Sequence, residues 1–213
     1  MSFKYSCFIS YCRSGNKFMN TFIQQLTETL EDYLDPYLNE KVYIDTQLEP
    51  GCRYPEELAR AICRSICMIV VYTPKYTDAE NHPYCLREYR AMELIEKKRK
   101  QLLEDKTKNT GIIIPIIFRG EKEDLPCDIG DYIHYCDFSQ FTTASPHIEQ
   151  NPEYIDEIQK IVKIVYGKYK LYKQNGIDPC CDCESFSLPS EEEVKPWKIK
   201  LNKSSTPFQR PGR

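Results

Sequence analysis

Two runs of this chain, Ile66–Tyr72 (ICMIVVY) and Gly111–Phe118 (GIIIPIIF), contain no charged residue. Neither alternates apolar with polar positions, as a strand with one wet face does. Strands that are apolar throughout are covered on both faces, and that is the habit of parallel sheets flanked by helices. Gly111–Phe118 is therefore expected to be a fully buried strand. The rest of the chain supplies matching units. Lys4–Ser10 reads as a first strand. Asn16–Leu34 places Phe18, Phe22, Ile23, Leu26, Leu30 and Tyr33 at helical spacing on one inner face. Lys41–Asp45 is a second strand, and Pro55 suits the opening of a helix that runs on through Leu58 and Ile62. Pro83 opens another helix, continuing through Lys98. The charged stretch Glu96–Asn109 is expected to be a solvated helix end and loop. Asp131–Phe138 is a weaker fifth strand. Asn151-Pro152 begins a last helix with Ile155, Ile158, Ile161, Val162 and Val165 facing inward. Alternating strands and helices imply right-handed crossovers. Five such units predict an α/β, flavodoxin-like fold: a five-stranded parallel sheet in the order 2-1-3-4-5 with helices on both faces.

Composition narrows the function classes. Net charge is -3, which argues against a general nucleic-acid binder, since that needs a basic surface against phosphates. No run approaches the roughly 18 apolar residues of a membrane span, and Met1–Tyr5 has no basic segment leading into a long apolar run. A cytoplasmic location without membrane or nucleic-acid partners is the expectation. The 11 cysteines are an odd number in a chain long enough to build a core without staples. Cys7, Cys63, Cys67 and Cys136 lie in apolar runs and are read as small buried hydrophobes. Cys180, Cys181 and Cys183 have CC and CxC spacing with no histidine nearby, and His82, His134 and His147 have no ligand or triad spacing, so no metal site is expected.

Three segments fall where strands give way to loops or helices, the edge at which open α/β sheets bind ligands. The first is Cys7-Phe8-Ile9-Ser10-Tyr11, followed by Arg13. The second runs from Val42-Tyr43-Ile44-Asp45 through Leu48-Glu49-Pro50-Gly51 to Tyr54-Pro55-Glu56-Glu57-Leu58. The third is Pro83-Tyr84-Cys85-Leu86-Arg87-Glu88-Tyr89. In this order and spacing they resemble a TIR (Toll/interleukin-1 receptor) domain, over about Phe3 to Tyr169. The third segment resembles the helix that carries the glutamate of NAD-consuming TIR enzymes, with Tyr84 standing where that family's motif commonly has Trp. The resemblance implies a TIR domain over residues 1–172. Residues 173–213, which include the cysteine cluster, an acidic patch and a basic tail, are read as an extension that is not a separate domain.

The chemistry such a site performs follows from its substrate. The nicotinamide ring of NAD+ is cationic, so it leaves the ribose as a neutral molecule without needing a proton. What remains is an oxocarbenium-like ribosyl cation. Ordinary glycosidases use two carboxylates, one of them as acid; here one carboxylate near the ribose suffices. Glu88 is the candidate. Tyr84 and Cys85 precede it by four and three residues and share its helix face. The plain alternative is a solvated helix glutamate like Glu93 or Glu96. Ser10, Tyr11 and Arg13 are expected at the sheet's carboxyl edge, Arg13 with a guanidinium suited to a diphosphate or else merely exposed. Asp45 ends the second strand, and Glu49 and Tyr54 match positions near the nucleotide in related domains. The loop Thr46, Gln47, Leu48, Glu49, Pro50, Gly51, Cys52, Arg53 and Tyr54 matches one through which TIR subunits assemble, and serves the nucleotide, assembly or both. Gly51 suits a tight turn.

The resemblance thus implies an NAD+ glycohydrolase or cyclase. NAD+ is its substrate rather than a cofactor. Its product is ADP-ribose or a cyclic or modified form, sensed by a downstream effector protein, as in bacterial anti-phage systems, and further TIR subunits join on activation. Two alternatives stay open: a non-enzymatic TIR adaptor working by assembly, and a TIR virulence factor. A response-regulator receiver is disfavoured, because Ser10-Tyr11 and Thr73-Pro74 stand where it needs acidic residues. A dinucleotide dehydrogenase is disfavoured by the lack of GxGxxG after the first strand.

Overall fold

The computed structural model describes residues 2–13, 16–45, 54–78, 82–103, 111–120, 135–142, 148–179 and 182–194. Strands β1 (Tyr5–Tyr11), β2 (Lys41–Ile44), β3 (Ser65–Tyr72), β4 (Ile113–Ile117) and β5 (Cys136–Asp137) form one parallel sheet in the order β2-β1-β3-β4-β5. Between and after them lie helices α1 (Lys17–Leu34), α2 (Tyr54–Cys63), α3 (Pro83–Leu102) and α4 (Pro152–Gln174). β1 and β3 are buried at every position, and so is β4, as the apolar run around it requires. The chain moves from β1 outward to β2 and then back across to β3 and β4. Right-handed crossovers therefore put α1 on one face and α2 with α3 on the other. α4 packs on α1, and α2 packs on α3.

Local chemistry sets the helix ends. The side chains of Asn16 and Asn151 cap α1 and α4, accepting from Phe18 N (2.9 Å) and Glu153 N (2.9 Å). Pro83 and Pro152 occupy first-turn positions, where no amide partner is needed. α4 ends in a Schellman turn: Gly176 takes φ 63°, its amide bonds Lys173 O, and Ile177 N bonds Tyr172 O at 2.9 Å. Pro115 interrupts β4 without breaking it, because the pairing with β5 begins only at Ile116.

Several expectations need correction. Phe18 is 40% exposed, while Phe22, Ile23, Leu26 and Leu30 of the same face are buried. Phe18 sits at the open start of α1, against Phe118 and under Arg119. The charged stretch after Glu96 is not simply solvated: α3 runs on to Leu102, Glu96 Oε2 accepts from Ile112 N at 2.8 Å, and Arg99 is completely buried. The fifth strand is two residues long, and residues 131–134 of its expected span lie outside the described ones. Cys63 is no isolated hydrophobe, for it forms a disulfide with Cys183, 120 residues away. That bond draws residues 182–194 onto α2 and α3. Glu184 pairs with Arg60 (3.3 Å) and Arg64, Arg87 Nε donates to Pro189 O (2.6 Å), and Lys98 lies over Phe186. Cys180 and Cys181 lie outside the described residues.

Candidate active site

A carboxyl end shared by two central strands is where an α/β sheet of this order opens a crevice, because the connections leave β1 and β3 in opposite directions. Ser10 and Tyr11 close β1 there, opposite Val70 and Val71 of β3. The chain leaving β3 makes a short 3₁₀ turn, Pro74–Thr77, and then enters α3. Glu88, in the second turn of α3, is thereby carried against the end of β1. Glu88 is 4% exposed, and its Oε2 accepts a 2.5 Å hydrogen bond from Ser10 Oγ.

A second set of groups lies beside this pair. Arg13 binds Asp45 Oδ1 through Nε (2.8 Å) and Nη2. The Tyr54 hydroxyl donates to Asp45 Oδ2 at 3.0 Å. The Tyr54 and Tyr84 rings meet edge to face at 4.9 Å, Arg13 lies over Tyr54, and Arg87 lies over Tyr84. Cys85 Sγ donates to Tyr11 O at 3.6 Å. So Ser10, Tyr11, Arg13, Asp45, Tyr54, Tyr84, Cys85 and Glu88, drawn from β1, the end of β2, α2 and α3, form one cluster. Glu49 and the rest of the loop from Thr46 to Arg53 lie outside the described residues.

Two features differ from the sequence reading. The carboxyl is enclosed rather than solvated, and Arg13 is engaged by Asp45 rather than free for a phosphate. Enclosure has an electrostatic consequence. Burial pushes the Glu88 carboxyl up to about 8; Asp45 adds to the rise, while the Ser10 hydrogen bond, Arg13 and Arg87 oppose it. Burial, followed by the nearness of Glu88, holds the Cys85 thiol well above its usual range.

The sequence reading missed Tyr76. Its side chain is fully buried, and its hydroxyl lies 2.7 Å from Ser10 Oγ and 3.3 Å from Cys85 O. The signal was Pro74, which favours a first helical turn and so turns the chain inward just past β3. Among the described residues no group of acidic, histidine and cysteine side chains is arranged to hold a metal ion.

The profile of the TIR domain family matches residues 7–150, which include every element of the cluster. The chain belongs to the TIR domain family. A solved structure similar to it is that of the TIR domains in the activated Roq1 resistosome directly recognizing the pathogen effector XopQ. It is 18% identical, covers 80% of this chain and 96% of that chain, and has a TM-score of 0.44. No curated protein matches. The TIR domain's β2-β1-β3-β4-β5 order is that of the expected flavodoxin-like fold. Among its described residues no helix is long and apolar enough to cross a membrane.

Proposed function

We propose that this TIR domain cleaves NAD+ at the nicotinamide–ribose bond, with Glu88 as the carboxylate that stabilises the ribosyl cation. It releases nicotinamide together with ADP-ribose or a cyclic or modified ADP-ribose. The observation that carries the reading is the seating of a buried carboxyl at the crevice between β1 and β3, held by Ser10 and ringed by aromatic and charged groups. A solvated helix glutamate would have none of this. A carboxyl that is neutral when the site is empty ionises readily when a cationic ring is placed beside it, because the added positive charge favours the charged form. The field then acts where positive charge develops.

The enclosure supports a resting state. For NAD+ to reach Glu88, the Tyr54–Tyr84 contact and the Arg13–Asp45 pair must part, which frees Arg13 for the diphosphate. We assign the opening to assembly with further TIR subunits through the loop from Thr46 to Tyr54, since a partner that binds only the opened state shifts the equilibrium toward it. The same enclosure is what a non-enzymatic adaptor would show, so the decisive experiment is chemical. Purified protein is incubated with NAD+ over a range of protein concentrations, and products are identified by mass spectrometry. Nicotinamide release that rises more steeply than linearly with protein supports both parts. Strictly proportional release removes the assembly step, and no release at any concentration favours the adaptor. The nucleotide-sensing effector and an anti-phage role belong to the same proposal and follow only if a diffusible product is found.

A further inference from the structure

Four groups from three separate parts of the chain stand in a line beneath the site. Glu88 Oε2 is 2.5 Å from Ser10 Oγ, Ser10 Oγ is 2.7 Å from the Tyr76 hydroxyl, and that hydroxyl is 3.3 Å from Cys85 O. The three side chains are all buried. Hydroxyls give one proton and accept others, so such a line can point either way. With Glu88 ionised, Tyr76 donates to Ser10, and Ser10 donates to the carboxylate. With Glu88 neutral, the carboxyl proton points to Ser10, Ser10 donates to Tyr76, and Tyr76 donates to the backbone carbonyl. Neither state leaves the Ser10 or Tyr76 proton, or the carboxyl, without a partner, which in a buried site is expensive.

We propose that Tyr76 is a positioning residue for Glu88: its hydroxyl ends a reversible hydrogen-bond chain, running through Ser10, that satisfies the carboxyl in both its neutral and its ionised form. The inference rests on the reading of Glu88 as the reactive carboxyl. The only covalent change in the switch is loss of one proton from Glu88 to water as the cationic nucleotide docks; the remaining hydrogen bonds merely reverse. Other charged or titratable groups also face Glu88. Tyr11 and Arg13 come from β1 and its loop, Tyr43 and Asp45 from β2 and its end, Tyr54 from α2, and Cys85 and Arg87 from α3 itself. Removing the Tyr76 hydroxyl leaves all of these in place. A hydrogen-bond chain ending on a charge is about twice as strong as a neutral one. Loss of the hydroxyl therefore hurts the ionised state more, and Glu88 should ionise at higher pH by roughly 0.5–1 pH unit.

The test compares the full-length wild type, Tyr76→Phe, Ser10→Ala and the double variant. The first readout needs no substrate: the ¹³C shift of the Glu88 carboxyl is followed against pH, assigned by its absence in Glu88→Gln. The second is the pH profile of nicotinamide release from NAD+. Tyr76→Phe should move the carboxyl titration up, and the acid limb of the rate profile should move with it. Ser10→Ala should move both the same way, and adding Tyr76→Phe to it should produce no further shift. An unmoved titration in a folded Tyr76→Phe, with or without lost thermal stability, means that Tyr76 only packs and overturns the proposal. Should Tyr76→Phe not fold, Ser10→Ala decides alone, an unmoved titration again being fatal. A moved titration in a protein that releases no nicotinamide upholds the chain and removes the NAD+ reading instead.

Discussion

Helix α3 buries two ionisable side chains, Glu88 near its start and Arg99 near its end, and they are treated differently. Arg99 is completely enclosed and donates to Ile66 O (2.9 Å), Cys63 O (3.0 Å) and Ser65 O (2.9 Å), with Phe3 and Tyr172 stacked about its guanidinium. Three of its partners are backbone carbonyls, which have no proton to exchange. It closes the end of α2 and the start of β3. Glu88 instead rests on a hydroxyl that can reverse its hydrogen bond. A buried charge pinned by main-chain groups serves structure. One held by groups that can themselves reverse their hydrogen bonds suits the role proposed for Glu88.

The comparison predicts opposite consequences for the two residues. Arg99→Ala strands three carbonyls and leaves a cavity, so it should cost about 3–5 kcal/mol in urea unfolding, with turnover per folded molecule unchanged. Equal loss of turnover and stability would erase the contrast. Glu88→Gln should do the reverse: turnover falls roughly 10²–10³-fold, about 3–4 kcal/mol in the barrier, while stability at neutral pH does not fall. Undiminished turnover would remove Glu88 from the chemistry.

Protonation sharpens the same contrast. The folded-state value for Glu88, about 8, stands above its ordinary 4.5. Its contribution to stability is therefore whole below about 4.5 and is lost as pH rises through about 8, since the unfolded chain ionises first. Glu88→Gln lacks this loss. Its unfolding free energy relative to wild type should climb across that window, reaching about 5 kcal/mol above it. A difference that stays flat with pH would show the carboxyl to be ionised and solvated. The smallest effect concerns the anchored end of α3. Cys63 gives its carbonyl to Arg99 and its sulfur to Cys183. Cys183→Ser should cost about 2 kcal/mol, at the lower end for disulfides, because Glu184 still pairs with Arg60 and Arg64. The loss should couple non-additively to Arg99→Ala and leave Glu88 untouched. Additive losses would mean that the two anchors act separately.

The tail shows what sequence reading misses. Residues 173–213 read as an extension with too few apolar residues for a core of their own. Their attachment was not legible. A disulfide that spans 120 residues leaves no local trace, and Cys63 reads as one more apolar residue of its run. A truncation after Gln174 removes Cys183 and leaves Cys63 a thiol, so its effect should be largest where the surroundings are oxidising and the full chain keeps the disulfide.

What the sequence determined by itself is what depends on neighbours along the chain. Unbroken apolar runs dictated buried parallel strands, Asn16, Asn151, Pro83 and Pro152 dictated where helices begin, and the order of units dictated the sheet. The segments at the strand ends named Ser10, Asp45, Tyr54 and Glu88 as residues of one edge. Only the tertiary structure decided how they meet. Tyr54 and Tyr84 meet beside the site although they come from different helices. Whether its carboxyl is charged depends on Ser10, 78 residues earlier, and on the burial they share. Periodicity and capping act over one or two helical turns, whereas desolvation and hydrogen-bond direction are set by every group that packs around an atom, wherever the chain brings it from.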